Sequence, residues 1–379
     1  MMKNAFKNLG KSYAVVAREL GCSKTTLINI IVHGKYPVKG GRELQTKLIA
    51  YFDKHKIPLP IHSKEQTTAT PNQTSKEQDM LLRKTSLTQV AKRHFNLPKD
   101  PFNDEIASSE DIYMTPDARY VREAMYQTAL HGGFLAVIGE SGAGKSTLRE
   151  ELHDRLMKDG KPVVVIEPYV LAMEDNDIKG KTLKSVHIAE AILEAVAPNE
   201  KPKRSPEARF RQVHKALMES HKAGNRHVLV IEEAHGLPLP TLKHLKRFYE
   251  LKAGFSRLIG IVLIGQTELA TKLSEHNPNV REVVQRCELV TLLPLSDGKL
   301  SGYLKHKFDR MGVNIKDVLN DSAIDAITER LTVKSRTSTG MVENSLLYPL
   351  AVNNLVCAAI NSAAELGFDV VDSDIVKNV

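Results

Sequence analysis

Apolar residues along this chain arrive in two rhythms. Short unbroken runs, Phe134-Leu-Ala-Val-Ile138, Val163-Val-Val-Ile166, Val228-Leu-Val-Ile231 and Leu258-Ile-Gly-Ile-Val-Leu-Ile264, leave no alternate position polar. They predict strands buried on both faces of a parallel sheet. Between them, apolar positions recur at helical spacing over Ala118 to His131, Ser146 to Leu156, Val186 to Val196 and Pro206 to Ala223. Strand and helix in alternation predict a doubly wound α/β domain with helices on both faces of the sheet. Thr115-Pro-Asp117 offers a cap and an early proline to the helix that leads into the first strand. Past Pro294-Leu-Ser-Asp297 the pattern reads as all helical, over Leu300 to Met311, Ser322 to Leu331 and Tyr348 to Leu366, and predicts a helical lid.

The N-terminal part has a different texture. Lys11 to Ile31 holds two short helical patterns separated by Leu20-Gly-Cys-Ser23. Val16, Leu20, Leu27 and Ile30 fall on inner faces, small Ala17 where helices cross, and Gly21 where a turn needs a positive φ. Ser23 is placed to cap the second helix, and the whole reads as a helix-turn-helix. On that helix Lys24, Thr25, Thr26 and Asn29 are of the types that contact phosphates and base edges. A helical protein-interaction domain is the alternative. Glu43 to Phe52 adds an amphipathic helix, and Pro58 to about Gln78, rich in Ser, Thr, Gln and Asn, reads as a flexible tether. Met80 to Leu97, with Leu82, Leu87, Val90 and Phe95 at amphipathic spacing, marks the entrance to the next domain. The expected divisions are therefore 1–57 for the helix-turn-helix, 58–79 for the linker, 80–295 for a nucleotide-binding domain and 296–379 for the lid.

Charge sharpens this division. The net +8 of the 379 residues is carried entirely by residues 1–60, with eleven basic side chains against three acidic, while the remainder balances. Positive charge on one small domain points to a polyanion, most often nucleic acid. Cys22, Cys287 and Cys357 have no metal or redox spacing and read as reduced thiols. With no apolar leader and no run near about 18 apolar residues, the expectation is a cytoplasmic protein without a membrane partner.

The chemistry concentrates at the end of the first strand. Gly139 to Ser146 reads G-x-x-x-x-G-K-S. Wrapping a triphosphate in backbone N–H groups requires side chains to be absent where the chain passes close to oxygen, at Gly139, Gly142 and Gly144. Glu140, Ser141, Ala143 and Thr147 complete the loop; Lys145 supplies a charge to the β and γ phosphates and Ser146 a hydroxyl for Mg²⁺. A second strand ends on adjacent carboxylates, Glu232 and Glu233, the first assigned to the metal and the second to the attacking water. A third ends on Gln266 and Thr267, either of which could orient that water beside the γ phosphate. Arg281 and Arg286 are candidates to reach a neighbouring subunit's nucleotide, with Arg286 favoured. No Asn-Lys-x-Asp sequence is present to read guanine, so ATP is the expected nucleotide.

Together, Gly139 to Ser146, Val228 to Glu233, Gln266 and the helical lid resemble an AAA+ ATPase. Asp100-Pro-Phe102, Ile231-Glu-Glu-Ala-His235 and Leu263-Ile-Gly-Gln-Thr-Glu-Leu269 are similar to the branch that includes the ExeA-type ATPases and the transposition ATPases MuB and TnsC. A helix-turn-helix tethered in front of such a core resembles MuB-type target-DNA activators. That resemblance implies ATP-dependent assembly as a homo-oligomer, a filament or ring, on double-stranded DNA. It further implies delivery of that DNA to a DDE transposase and release on slow, partner-stimulated hydrolysis. In such assemblies basic residues track the duplex, which nominates Lys179, Lys181 and Lys184, and Lys243, Lys246 and Arg247. The metal-site Asp usual in the family is Glu232 here, and the lid has no clear Gly-x-Pro-Arg sequence. A helix-turn-helix transcription regulator with an ATPase core and an ExeA-like secretion ATPase remain as alternatives.

Overall fold

All four apolar runs form strands, and a fifth joins them. In the computed structural model, which describes residues 13–23, 26, 27, 30, 31, 44, 47, 48, 51, 52, 83–102, 106, 108–168, 183–275, 277, 280–337 and 340–379, the chain divides into two compact units, Met1–Asn72 and Gln73–Val379. The larger unit is built on a five-stranded sheet whose spatial order is β2-β3-β6-β1-β7. Its strands are β1 (Phe134–Ile138), β2 (Val163–Ile166), β3 (Arg226–Ile231), β6 (Gly260–Gly265) and β7 (Glu288–Thr291); β4 (Lys252–Ala253) and β5 (Ser256–Arg257) form a small antiparallel pair apart from it. Every pairing in the main sheet is parallel, with Phe134 opposite Ile261, Leu135 opposite Glu288 and Val228 opposite Gly260. All carboxyl ends therefore emerge on one edge. The α/β class and the doubly wound arrangement expected from the sequence are what the chain adopts.

The unbroken strand runs are explained by what covers each face. Phe134, Ala136, Ile138, Leu229, Ile231, Ile261 and Leu263 point into one buried cluster, while Leu135, Val137, Val228, Val230, Val262 and Ile264 point into another. Successive side chains of a strand alternate faces, so a strand packed on both sides must be apolar throughout. The first cluster is closed by α5 (Ser185–Val196), α6 (Pro206–Lys222), α7 (Leu239–Tyr249), α8 (Thr267–Lys272) and α9 (Arg281–Val284), and includes Ile192, Leu217, Phe248 and Val283. On the opposite face lie α3 (Pro116–His131) and α4 (Lys145–Lys158), through Met125, Leu148 and Leu152. Burying a side chain as fully as Phe248, at 0% exposure, contributes about 1.5–3 kcal/mol. The cap expected ahead of α3 forms: Thr115 Oγ1 accepts the Ala118 amide at 3.2 Å. β2 differs from the expectation of full burial, because it is an edge strand with Val163, Val164 and Val165 only half-buried.

A third cluster builds the C-terminal part. It joins α10 (Lys299–Asp309), α11 (Asp321–Arg330), α12 (Pro349–Leu366) and α13 (Ser373–Asn378) to a segment far upstream, through Leu87, Ala91, Phe95, Leu97 and Phe102. Two expectations are corrected here. The described part of the segment Met80 to Leu97, where amphipathic spacing was expected, holds one short helix, α2 (Gln89–His94), and Val90 points outward at 60% exposure, because the segment is pinned by single side chains and not by one continuous face; Met80, Leu81 and Leu82 lie outside the described residues. Nor is the C-terminal region all helical: β8 (Thr332–Thr337) and β9 (Gly340–Ser345) form an antiparallel hairpin with Thr332 opposite Ser345. Thr332-Val333 and Thr337 are β-branched, which suits a strand better than the helix that ends just before them.

In the smaller unit, α1 (Tyr13–Glu19) is followed by Gly21 at φ 69°, and the Ser23 hydroxyl accepts the Thr26 amide at 3.0 Å. Val16, Ala17, Leu20, Leu27, Ile30, Ile31, Leu48 and Phe52 share one buried cluster. The residues expected on inner faces are thus inside, and the expected turn glycine and cap are in place.

Candidate nucleotide site

Three strand ends meet at one cavity. β1 gives way to the loop 139–144, and α4 begins at Lys145 behind Gly144, which sits at φ 92°. The loop is tied to its neighbours through backbone bonds: the Gly139 amide donates to Gly265 O at 3.2 Å, and the Leu292 amide to Ile138 O at 2.8 Å. Gly142 lies at φ 75°, and a Cβ there would stand 2.2 Å from Leu350 Cβ at the start of α12. The Leu350 amide in turn donates to Gly142 O at 3.3 Å. Loop and lid are therefore in direct contact at a position that only glycine permits.

The resulting cavity, of about 460 Å³, is lined by Ser141 to Thr147 of the loop, by Glu233 and Gln266 from the next two strand ends, and by Pro349, Leu350 and Asn353 of the lid. Its other wall is apolar and aromatic, from Phe102, Ile106, Ile112, Tyr113 and Tyr303. Tyr113 packs edge-on against Tyr303 at 5.9 Å, and Gly302 leaves room for it, since a Cβ there would lie 2.3 Å from the Tyr113 hydroxyl. Tyr303 donates to Asn353 Oδ1 at 2.7 Å, which joins α10 to α12 behind the cavity. Lys307 contributes a cation from α10.

Lys145 is 9% exposed and its Nζ donates to Gly139 O and Glu140 O, both at 2.8 Å. Burial pushes its pKa below the ordinary lysine value, while Glu233, Glu140, Glu232 and Glu268 act in the opposite direction. Glu140 is itself held by the Thr267 hydroxyl, which donates to its Oε1 at 3.0 Å. Thr267 therefore fastens the loop, whereas Gln266 faces the cavity.

The carboxylate pair does not sit on the strand, as its sequence suggested. β3 ends at Ile231, and Glu233 adopts a left-handed backbone at φ 47°, ψ 34°, unusual for a residue other than glycine. Such strain, on the order of 1–3 kcal/mol, clusters at functional sites. The turn brings Glu233 into the cavity and leaves Glu232 outside its lining. Glu232 Oε2 instead accepts Arg149 Nη1 from α4 at 2.8 Å. His235 Nδ1 lies 3.5 Å from Glu233 Oε2 and 3.4 Å from the Gln266 amide, so the ring bridges the second and third strand ends.

Arg286 is also away from the cavity lining. Its Nη1 donates to Glu282 O at 2.7 Å and its Nη2 lies 3.8 Å from Glu250. Among the residues nominated for DNA, Lys243 and Arg247 are exposed, and Lys246 is ion-paired with Glu282 at 2.6 Å and Glu250 at 3.6 Å. Thr26 Oγ1 lies 2.8 Å from Ser23 Oγ and takes part in the cap. Lys24, Thr25, Asn29, Lys179 and Lys181 lie outside the described residues. Three participants were missed from sequence: Arg149, His235 and the aromatic wall. Arg149 carried a signal, since it lies one helical turn after Lys145; His235 and the wall are assembled by the tertiary fold.

The comparisons with known proteins bear on the same region. Residues 128–273, from the end of α3 through the loop and all three strand ends, match a family described as an AAA domain. The chain carries an AAA domain, an ATPase-type module. Over 227 residues it is 26% identical to General secretion pathway protein A of Aeromonas hydrophila, a match covering 58% of this chain and 37% of that protein. The chain thus matches little more than a third of that relative's length. Among solved structures, Cdc6p of Pyrobaculum aerophilum is similar with a TM-score of 0.44 and 13% identity, over 72% of this chain and 67% of that one. ORC2 of Aeropyrum pernix gives 0.43 and 16%, over 73% and 70%. Drosophila ORC bound to DNA gives 0.47 and 11%, over 88% and 72%. Among the described residues, no helix is long and apolar enough to cross a membrane.

Proposed function

We propose that this chain is an ATP-dependent switch: it binds and slowly hydrolyses ATP in the cavity under the lid, and its nucleotide state governs a homo-oligomeric grip on double-stranded DNA. The observation that carries the reading is the convergence of Lys145, Ser146, Glu233 and Gln266 on one cavity closed by α12. Phosphates fit the loop, where the amides of residues 141–146 and the start of α4 favour anions. A purine fits the aromatic wall. Lys145 exchanges its bonds to Gly139 O and Glu140 O for phosphate oxygens.

No group of three or more His, Cys, Asp or Glu among the described residues could hold a metal ion alone. Hard oxygens from Ser146 and Glu232 suit Mg²⁺ shared with the phosphates, the usual arrangement for that ion. Bound there, Mg²⁺ would neutralise charge developing on the phosphates. Glu233 accepts the proton of the attacking water, His235 and Gln266 fix its orientation, and Arg286 of a neighbouring copy completes the charge balance.

The basic N-terminal segment and the Gly21-Ser23 turn support a helix-turn-helix contact with DNA through Lys24, Thr25, Thr26 and Asn29, with Lys181, Lys243, Lys246 and Arg247 tracking phosphates from the larger unit. Delivery of target DNA to a DDE transposase, by a cytoplasmic oligomer, is the fuller form of the reading. A second reading, a secretion ATPase, draws on the similarity to General secretion pathway protein A. Binding of a fluorescent ATP analogue, abolished by Lys145→Ala, tests the site. Electron microscopy with generic duplex DNA, with and without a non-hydrolysable ATP analogue, tests the switch: assemblies that form only with both support it, and DNA binding indifferent to nucleotide sinks it.

A further inference from the structure

Arg149 has three carboxylates around one guanidinium. Its Nη1 donates to Glu232 Oε2 at 2.8 Å and stands 3.8 Å from Glu167 Oε1, while Nη2 lies 3.7 Å from Glu150 Oε1. Its Nε is buried with no hydrogen-bond partner. The strongest bond this side chain makes is thus given to the carboxylate a divalent ion would need, and a second acceptor, Glu167 just past the end of β2, stands within reach. Arginine cannot be neutralised by losing a proton at ordinary pH, so it leaves Glu232 only by displacement.

We propose that Arg149 is a competing cation for Glu232, a positioning residue that holds this carboxylate until magnesium displaces it toward Glu167 and Glu150, and so sets the Mg²⁺ concentration at which the site loads. The inference rests on the nucleotide reading given above. A fixed positive charge beside the carboxylate opposes a dication twice: by occupying the oxygen, and by repelling the ion through the partly screened protein surface. Removing it frees the oxygen and withdraws the repulsion, while the three carboxylates remain to attract the metal.

The test uses the full chain and a fluorescent ATP analogue, titrated at a series of Mg²⁺ concentrations; the readout is binding, not turnover. In Arg149→Met and Arg149→Gln, the half-saturating Mg²⁺ concentration falls about tenfold, and affinity in the absence of metal does not rise. Arg149→Lys, which keeps the charge, stays within about threefold of the original chain. Circular dichroism confirms that each variant is folded; the glutamine variant, with a polar head in place of the guanidinium, carries the test should the methionine variant fail. An unchanged or increased Mg²⁺ requirement in a folded neutral variant overturns the proposal, as does a lysine variant that behaves like the neutral ones. Should the unsubstituted chain bind no nucleotide at any Mg²⁺ concentration, the reading of the cavity falls instead.

Discussion

Replacing Gly142 with alanine separates two costs that a phosphate loop usually conceals. At φ 75° an L side chain is strained by roughly 1–2 kcal/mol. The added Cβ would also lie 2.2 Å from Leu350 Cβ and 3.0 Å from Leu350 Cδ2, so α12 must move away from the loop. Overpacking of this kind costs about 1–3 kcal/mol, giving about 2–5 kcal/mol in total. Gly144 is the internal control: it sits at φ 92°, and a Cβ there meets nothing within 4 Å, so Gly144→Ala bears the backbone strain alone.

Urea unfolding of both variants should place Gly142→Ala below Gly144→Ala by about 1–3 kcal/mol, the part due to the lid. Leu350→Gly removes the atom that is struck, so Gly142→Ala should cost less in its presence, with a coupling of about 1–3 kcal/mol in the double-mutant cycle. The displacement of α12 should also weaken nucleotide binding more in Gly142→Ala than in Gly144→Ala, because Leu350 lines the cavity. Equal destabilisation by the two alanines, or a cycle with no coupling, would refute the claim that loop and lid are pressed together.

Three further outcomes follow from buried or half-buried titratable groups. His227 is 2% exposed, donating from Nδ1 to Leu258 O at 2.9 Å and accepting the Ser220 hydroxyl at Nε2 at 2.8 Å. Burial pushes its pKa below the ordinary histidine value, with the Leu258 bond opposing in part. The unfolded chain therefore binds more protons, and stability should fall as pH drops below about 6.5; urea midpoints between about pH 5 and pH 8 should slope less in His227→Asn, and equal slopes contradict the assignment. Asp117 accepts the Leu293 amide at 3.1 Å and Lys299 Nζ at 3.2 Å, joining α3 to the start of the lid. Burial alone would raise its pKa, but bonds from Leu293, its own backbone, Thr115 and Lys299 hold it low. Its contribution is present above about pH 4 and lost as pH falls through the depressed folded value; Asp117→Ala should cost about 1–3 kcal/mol at neutral pH and little in strong acid. Burial, with help from Glu288 and Asp100 respectively, pushes the Cys287 and Cys357 thiols up to about 12. Mass spectrometry after iodoacetamide at neutral pH should find both unmodified in the native chain and modified in urea.

The parts of this molecule legible in the sequence are those whose constraint is local. The phosphate loop is readable because close approach of backbone to phosphate demands glycine at fixed spacing, and the sheet because burial on both faces removes every polar alternate. Ser23, Thr115 and Gly21 were readable for the same reason, since a cap or a left-handed turn is decided within four residues. The aromatic wall was not, because Phe102, Tyr113 and Tyr303 come from separate stretches and meet only when the upstream segment packs with the lid. The β8–β9 hairpin escaped because it follows directly on α11, whose helical pattern masks the change of period.

The two carboxylates show most clearly where sequence reasoning stops. A strand sends adjacent side chains to opposite faces, which is why Glu232 and Glu233 were given separate roles. The two side chains do part company, but the cause is different. β3 ends one residue too early for pleating to act, and a single left-handed dihedral at Glu233 turns that carboxylate into the cavity while Glu232 is taken up by Arg149. No periodicity encodes that dihedral. It is imposed by the turn Ala234–Gly236, where the Gly236 amide donates to Glu233 O at 2.9 Å, and by Gly265, whose missing Cβ would stand 3.1 Å from the His235 amide. The position of the Glu233 carboxylate in the cavity is thus held by a neighbouring strand's glycine, which makes β6 a support for the turn after β3 as well as its partner in the sheet.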